Sequence, residues 1–210
     1  MPVRSWLTVA LSSAAVCACS TSKVPDPGRK TGSLIDQHAW VTLEAADDPF
    51  ASERPAEIIC PPTKALTENF GGVDAFEVDT SGCNYASVGQ PSLLPVTKGD
   101  TIYLEGWRGA TPNRAPAEAH IGITLNGKVL FDKRYPIPWP CSGTFCTLAC
   151  ASGEGSDAQD YTDPPCDRGG IQPFVVVEED APQGSTIVYH VHNHGNNKYG
   201  LIKVELNPPP

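Results

Sequence analysis

The chain has 210 residues and a formal net charge of -9. So acidic a composition lacks the basic footprint that phosphates demand. It excludes nucleic acid as a partner and leaves solubility and divalent cations as the consequences of the charge.

Arg4 precedes an apolar run from Trp6 to Ala18. The run is too short to cross a hydrocarbon core that needs about 20 apolar residues, so it reads as a processing signal. Val16-Cys17-Ala18-Cys19 resembles the lipobox of bacterial lipoproteins, in which small residues precede a cysteine that is acylated and becomes the new N-terminus; Cys17 departs from the usual small residue. The resemblance implies a signal peptide over 1–18, a lipid on Cys19 and a lipoprotein held at a bacterial membrane, periplasmic or at the cell surface. Ala14-Ala15-Val16-Cys17 is a weaker alternative box, and ordinary signal-peptidase cleavage near Ala18 would leave a soluble secreted protein. Residues 19–33 are polar, contain Pro25 and Pro27, and read as a tether. Residues 34–210 are expected to form one domain, a length that all-β folds often fill undivided.

Beyond the tether, short alternating or β-branched runs predict strands at 38–44, 74–79, 84–88, 101–107, 119–125, 128–135, 172–177, 186–193 and 201–206. A short helix is expected over 62–70, capped by Thr63 and ended by Gly71-Gly72. Asn126-Gly127 supplies the positive φ angles of a type I′ turn, so 119–125 and 128–135 should be antiparallel neighbours. Pro136, Pro138 and Pro140 are expected to end that hairpin, because each lacks an N–H for the ladder.

After Cys17 and Cys19, six cysteines remain: Cys60, Cys83, Cys141, Cys146, Cys150 and Cys166. In an exported chain an even set predicts disulfides, with Cys60–Cys83 the preferred first bridge and the pairing of the other four open. Those four stand at C-x4-C and C-x3-C spacing inside a cysteine-rich insertion over 140–170, which lacks the tight C-x2-C knuckle usual in structural zinc sites.

Eight or nine strands with loops of varied length predict an all-β, two-sheet antiparallel β-sandwich, a jelly roll in layout, interrupted by the disulfide-rich loop. The stretch Val96-Thr97-Lys98-Gly99-Asp100-Thr101-Ile102-Tyr103-Leu104-Glu105-Gly106-Trp107, the later hairpin and the final Gly200–Leu206 strand resemble galactose-binding-like and carbohydrate-binding jelly rolls. That likeness implies a sandwich and, loosely, sugar binding.

Tyr189-His190-Val191-His192-Asn193-His194 is the most specific chemical feature. In a strand, residues two apart share a face, so Ile187, Tyr189 and Val191 point to the core while His190, His192 and His194 point away. His120 lies opposite the apolar face of its own strand, with Glu118 on its side, and joins the set if the two strands are neighbours. Clustered imidazoles with a carboxylate suit zinc or copper, and an open position would allow metal-assisted hydrolysis or copper redox chemistry. The competing readings are a polar ligand groove without metal and a solvated or structural sheet face. Residues 154–163 offer hard oxygen ligands for calcium without the EF-hand spacing.

For a glycan, flat rings would come from Trp107, Trp139, Tyr135 and Tyr199, with Arg108, Arg114 and Asn196 as polar partners. No Gly-x-Ser-x-Gly elbow occurs, and no pair of carboxylates stands out for glycosidic cleavage. The expectation is therefore a surface-anchored binding module for a glycan or envelope polymer, more a binder than an enzyme. A histidine-based metal protein and a structural or adhesion lipoprotein that contacts another envelope protein are the alternatives.

Overall fold

The computed structural model describes residues 28–109, 117–137, 145–147, 174–193 and 195–208. Its strands run in chain order as β1 (Gly32–Ser33), β2 (Val41–Thr42), β3 (Ala65–Phe70), β4 (Val73–Asp79), β5 (Tyr85–Pro91), β6 (Thr101–Gly109), β7 (Ala117–Leu125), β8 (Lys128–Ile137), β9 (Phe145–Thr147), β10 (Phe174–Val176), β11 (Thr186–Asn193) and β12 (Lys198–Leu206). Among the described residues they form two antiparallel sheets. One runs β10-β6-β12-β4-β3, with β1 beside β12 and β9 beside β6; the other runs β2-β5-β11-β7-β8. The chain is an all-β, two-sheet sandwich of jelly-roll type.

The inward faces follow the alternation in the sequence. Ile121, Ile123, Ile187, Tyr189 and Val191 from one sheet meet Phe76, Val78, Ile102, Leu104, Leu201 and Val204 from the other in one buried cluster. Tyr189 meets Phe76 edge-on across the layers at 6.4 Å, and Trp40 closes one end of the pair against both. Burial on this scale, at roughly 25 cal/mol per Å² of apolar surface, is the main favourable term in the fold. Cys60 and Cys83 are joined by a disulfide, as the spacing predicts.

The β7–β8 hairpin forms as expected. Asn126 and Gly127 both hold positive φ, at 51° and 74°, the conformation a type I′ turn requires.

Four expectations are corrected. Residues 62–70 are not a helix: a 3-10 turn at Pro62–Lys64 leads into β3, and Gly71-Gly72, at φ 65° and 98°, turns it back onto β4 with Phe70 opposite Val73. Two adjacent positive-φ glycines make a hairpin turn as readily as they stop a helix. The strand expected at 38–44 shrinks to Val41–Thr42, because the Asp36 carboxylate accepts the His38 N–H and curls the chain before it. Pro136 does not end β8, which continues to Ile137; as the edge strand of its sheet, β8 can forgo one N–H. The end of the expected tether belongs to the domain, since Gly32-Ser33 pair with β12 and Arg29 bonds Asp100.

Candidate metal centre

β11 runs between β5 and β7 with its register fixed on both sides. His190 faces Ser87 and Gly122, and His192 faces Tyr85 and His120. One strand further, Gly122 and His120 oppose Asp132 and Arg134 of β8. Strand periodicity thus gathers three imidazoles on the sheet face away from the sandwich core, and β8 brings a carboxylate and a guanidinium beside them.

That face is not wet. The segment 43–54 lies across it, with a 3-10 turn at Ala51–Glu53. Leu43 donates its N–H to Ser87 O, and the buried Asp48 accepts from Tyr85 Oη at 2.6 Å, Ser87 Oγ at 2.7 Å and the Phe50 N–H at 2.9 Å. Arg54 ties the far end back by donating to Leu43 O. Thus held, Phe50 stacks on His190 and the turn delivers Glu53 to the histidines. A glycine at 122 makes room for the ring, because a Cβ there would lie 2.2 Å from its tip.

His190 is 0% exposed. Phe50 covers one face of its ring, Tyr85 approaches at 4.8 Å and His120 at 5.0 Å, both edge-on. Neither ring nitrogen reaches a partner at hydrogen-bonding geometry, although the Ala86 carbonyl lies near enough to favour the protonated ring slightly. Burial first, then the proximity of His120 and His192, drives its pKa down to about 2. His190 is therefore a neutral imidazole whose lone pair is unused.

His120, 3% exposed, is held at both nitrogens: Nδ1 is 2.9 Å from Glu53 Oε2 and Nε2 is 2.7 Å from Asp132 Oδ1. Arg134 donates to Glu53 Oε1 at 2.5 Å and to Glu118 Oε1 at 3.1 Å. Burial opposes ionisation of Glu53, but Arg134 and His120 outweigh it and hold the carboxyl below the usual carboxylate value. One ligand atom from each of Glu53, His120 and His190 lies within 4.8 Å of the other two. His192 stands at the margin, its Nδ1 3.8 Å from Glu53 Oε2.

The residues singled out from sequence divide clearly. His120, His190 and His192 come together. Glu118 does not join them; it is exposed and bound to Arg134. Glu53 takes its place, a residue that periodicity missed because it arrives on an irregular segment 67 positions before His120. Of the expected stacking rings, Trp107 is buried over Gly200 with Phe70 edge-on at 5.2 Å, and Tyr199 is wholly inside the core, so neither offers a face to solvent. Asn196 is exposed, in the turn before β12. His38 is exposed beside Asp74. Cys19, Arg114, Trp139, His194, Cys141, Cys150, Cys166 and the acidic stretch 154–163 lie outside the described residues, as do the side chains of Arg108, Tyr135 and Cys146.

No known protein family and no curated protein matches the chain. A solved structure described as "CBM4 structure and function" aligns over 84% of this chain and 100% of its own, at 10% identity and a TM-score of 0.38. This is a coarse likeness of fold and speaks to nothing finer.

Proposed function

We propose that this chain is a bacterial envelope lipoprotein, anchored through Cys19, whose β-sandwich holds one zinc or copper ion between His190, His120 and Glu53. The observation that carries the reading is His190, an imidazole buried completely with neither nitrogen well bonded, beside a second histidine and a carboxylate. A buried polar group without a partner costs about 1–3 kcal/mol, and the energetic reason to keep one here is a ligand that fills the lone pair.

Two imidazoles and a carboxylate match the donor preference of zinc and copper rather than of calcium or magnesium. Metal–nitrogen and metal–oxygen bonds of about 2.0–2.2 Å require the ligand atoms to draw together by roughly an ångström. Glu53 can supply much of that movement because it rides on a 3-10 turn rather than in a sheet. A fourth position falls to His192, whose Nδ1 is 3.8 Å from Glu53 Oε2, or to a water molecule. The glycan expectation has no comparable support, since its described rings, Trp107 and Tyr199, are buried.

The test is metal analysis of protein purified without a polyhistidine tag, followed by thermal unfolding with and without added Zn²⁺ or Cu²⁺. We expect about one equivalent of metal per chain, lost in His190→Ala, and a stabilisation of about 2.7 kcal/mol at a free-metal concentration 100 times Kd. A wild-type protein that takes up neither ion and does not shift on their addition would end the proposal.

A further inference from the structure

We infer that Asp132 is the outer partner of the metal ligand His120: it accepts the ring hydrogen on Nε2 and so turns Nδ1 toward the ion. The inference rests on the metal reading above and adds to it a residue that does not touch the metal.

Each nitrogen of His120 has a distinct neighbour. Nδ1 faces Glu53 Oε2 at 2.9 Å, and Glu53 is itself a member of the cluster with His190. Nε2 faces Asp132 Oδ1 at 2.7 Å, on the opposite edge of the ring. An imidazole that binds a metal through one nitrogen carries its hydrogen on the other, and a carboxylate there fixes tautomer and orientation while raising the basicity of the ligating atom. Here Nδ1, beside Glu53, is the nitrogen left for the ion, because Nε2 is held by Asp132.

The sheet places Asp132 for this task. Gly122 pairs with Asp132, and His120, two residues along β7, meets the carboxylate diagonally across the β7–β8 ladder. Asp132 is 48% exposed at its side chain. Packing does not explain its position, and its described hydrogen bond is the one to His120. Arg134, next along the same face of β8, stands in a parallel relation to Glu53: by holding Oε1 it leaves Oε2 directed at His120.

The experiment compares wild type, Asp132→Asn, Asp132→Ala and His190→Ala. Metal-free protein is prepared by chelation, Zn²⁺ affinity is measured by competition, Co²⁺ visible spectra are recorded, and each metal-free form is melted. Loss of an outer-shell carboxylate typically weakens metal binding 10- to 100-fold. The expected result is a weakening of that size in Asp132→Ala, a smaller one in Asp132→Asn, which keeps an acceptor oxygen, and a shift of the Co²⁺ bands. The metal-free melting temperature of Asp132→Asn, which can still accept from Nε2, should not move, whereas that of Asp132→Ala should fall because a buried ring nitrogen loses its acceptor.

Zinc affinity in Asp132→Ala equal to wild type, with His190→Ala abolished, overturns this inference and leaves the metal reading standing. In Asp132→Asn, affinity lost only in proportion to a fall in metal-free stability also overturns it, because the aspartate would then be structural. A wild type without affinity for either ion removes both.

Discussion

Phe50 lies flat against His190, their ring centroids 4.4 Å apart and 16° from parallel. The contact joins an irregular segment to the central strand of a sheet, and the room for it comes from Gly122, directly across the ladder from His190. Three positions far apart in the chain thus make one wall of the candidate centre.

Gly122→Ala tests that wall. A Cβ 2.2 Å from the Phe50 ring tip must push the ring out of its place, and with it the stack on His190. Overpacking of this kind typically costs about 1–3 kcal/mol. Denaturant unfolding should show a loss in that range together with weaker metal uptake; unchanged stability would mean that segment 43–54 is not seated on the sheet as described.

His190→Leu separates structure from function. Two ring nitrogens without well-formed bonds contribute nothing to the metal-free fold, whereas an apolar side chain of similar size removes their desolvation penalty of about 1–3 kcal/mol. The metal-free variant should equal or exceed wild type in stability by about 1–2 kcal/mol while binding no metal. A clear destabilisation would assign His190 to the scaffold instead.

Asp100 supplies a pH dependence remote from the centre. Burial raises its pKa, but Arg29, the Thr97 N–H and Asn207 outweigh burial and leave the folded value below the ordinary one. A depressed carboxylate stabilises the fold above its unfolded pKa of about 3.9, and that stabilisation fades as pH falls through the folded value. Asp100→Asn should therefore melt below wild type at neutral pH, with the gap closing under acid. A gap that persists at the lowest pH at which both still fold would contradict the assignment.

The Cys60–Cys83 bridge closes a loop with a sequence separation of 23 residues. By loop-closure entropy, replacing both cysteines with alanine should cost about 3 kcal/mol, read as a lower denaturation midpoint with little change in the native spectrum. No measurable loss would mean that the segment between them, including β3 and β4, is held by its sheet pairings alone.

The sandwich was legible because its signals are local. Ile121 and Ile123, or Ile187, Tyr189 and Val191, alternate with polar neighbours, and Asn126-Gly127 can hardly avoid a hairpin. Where local signals conflict, they mislead: Gly71-Gly72 can stop a helix or turn a hairpin, and here it joins β3 to β4. The candidate site was half legible for the same reason. Periodicity puts His190 and His192 on one face of β11, but nothing local says that β7 pairs beside it or that 43–54 covers both.

By itself, the amino-acid order determined the period of each strand, and hence which imidazoles leave the apolar face. Tertiary structure alone decided that this face is dry, that Glu53 rather than Glu118 completes the cluster, and that Trp107 and Tyr199 are buried. The physical reason is range. Side-chain alternation acts over two residues, whereas burial and ligand geometry depend on contacts between segments 67 or more positions apart, which only the packed sheets bring together.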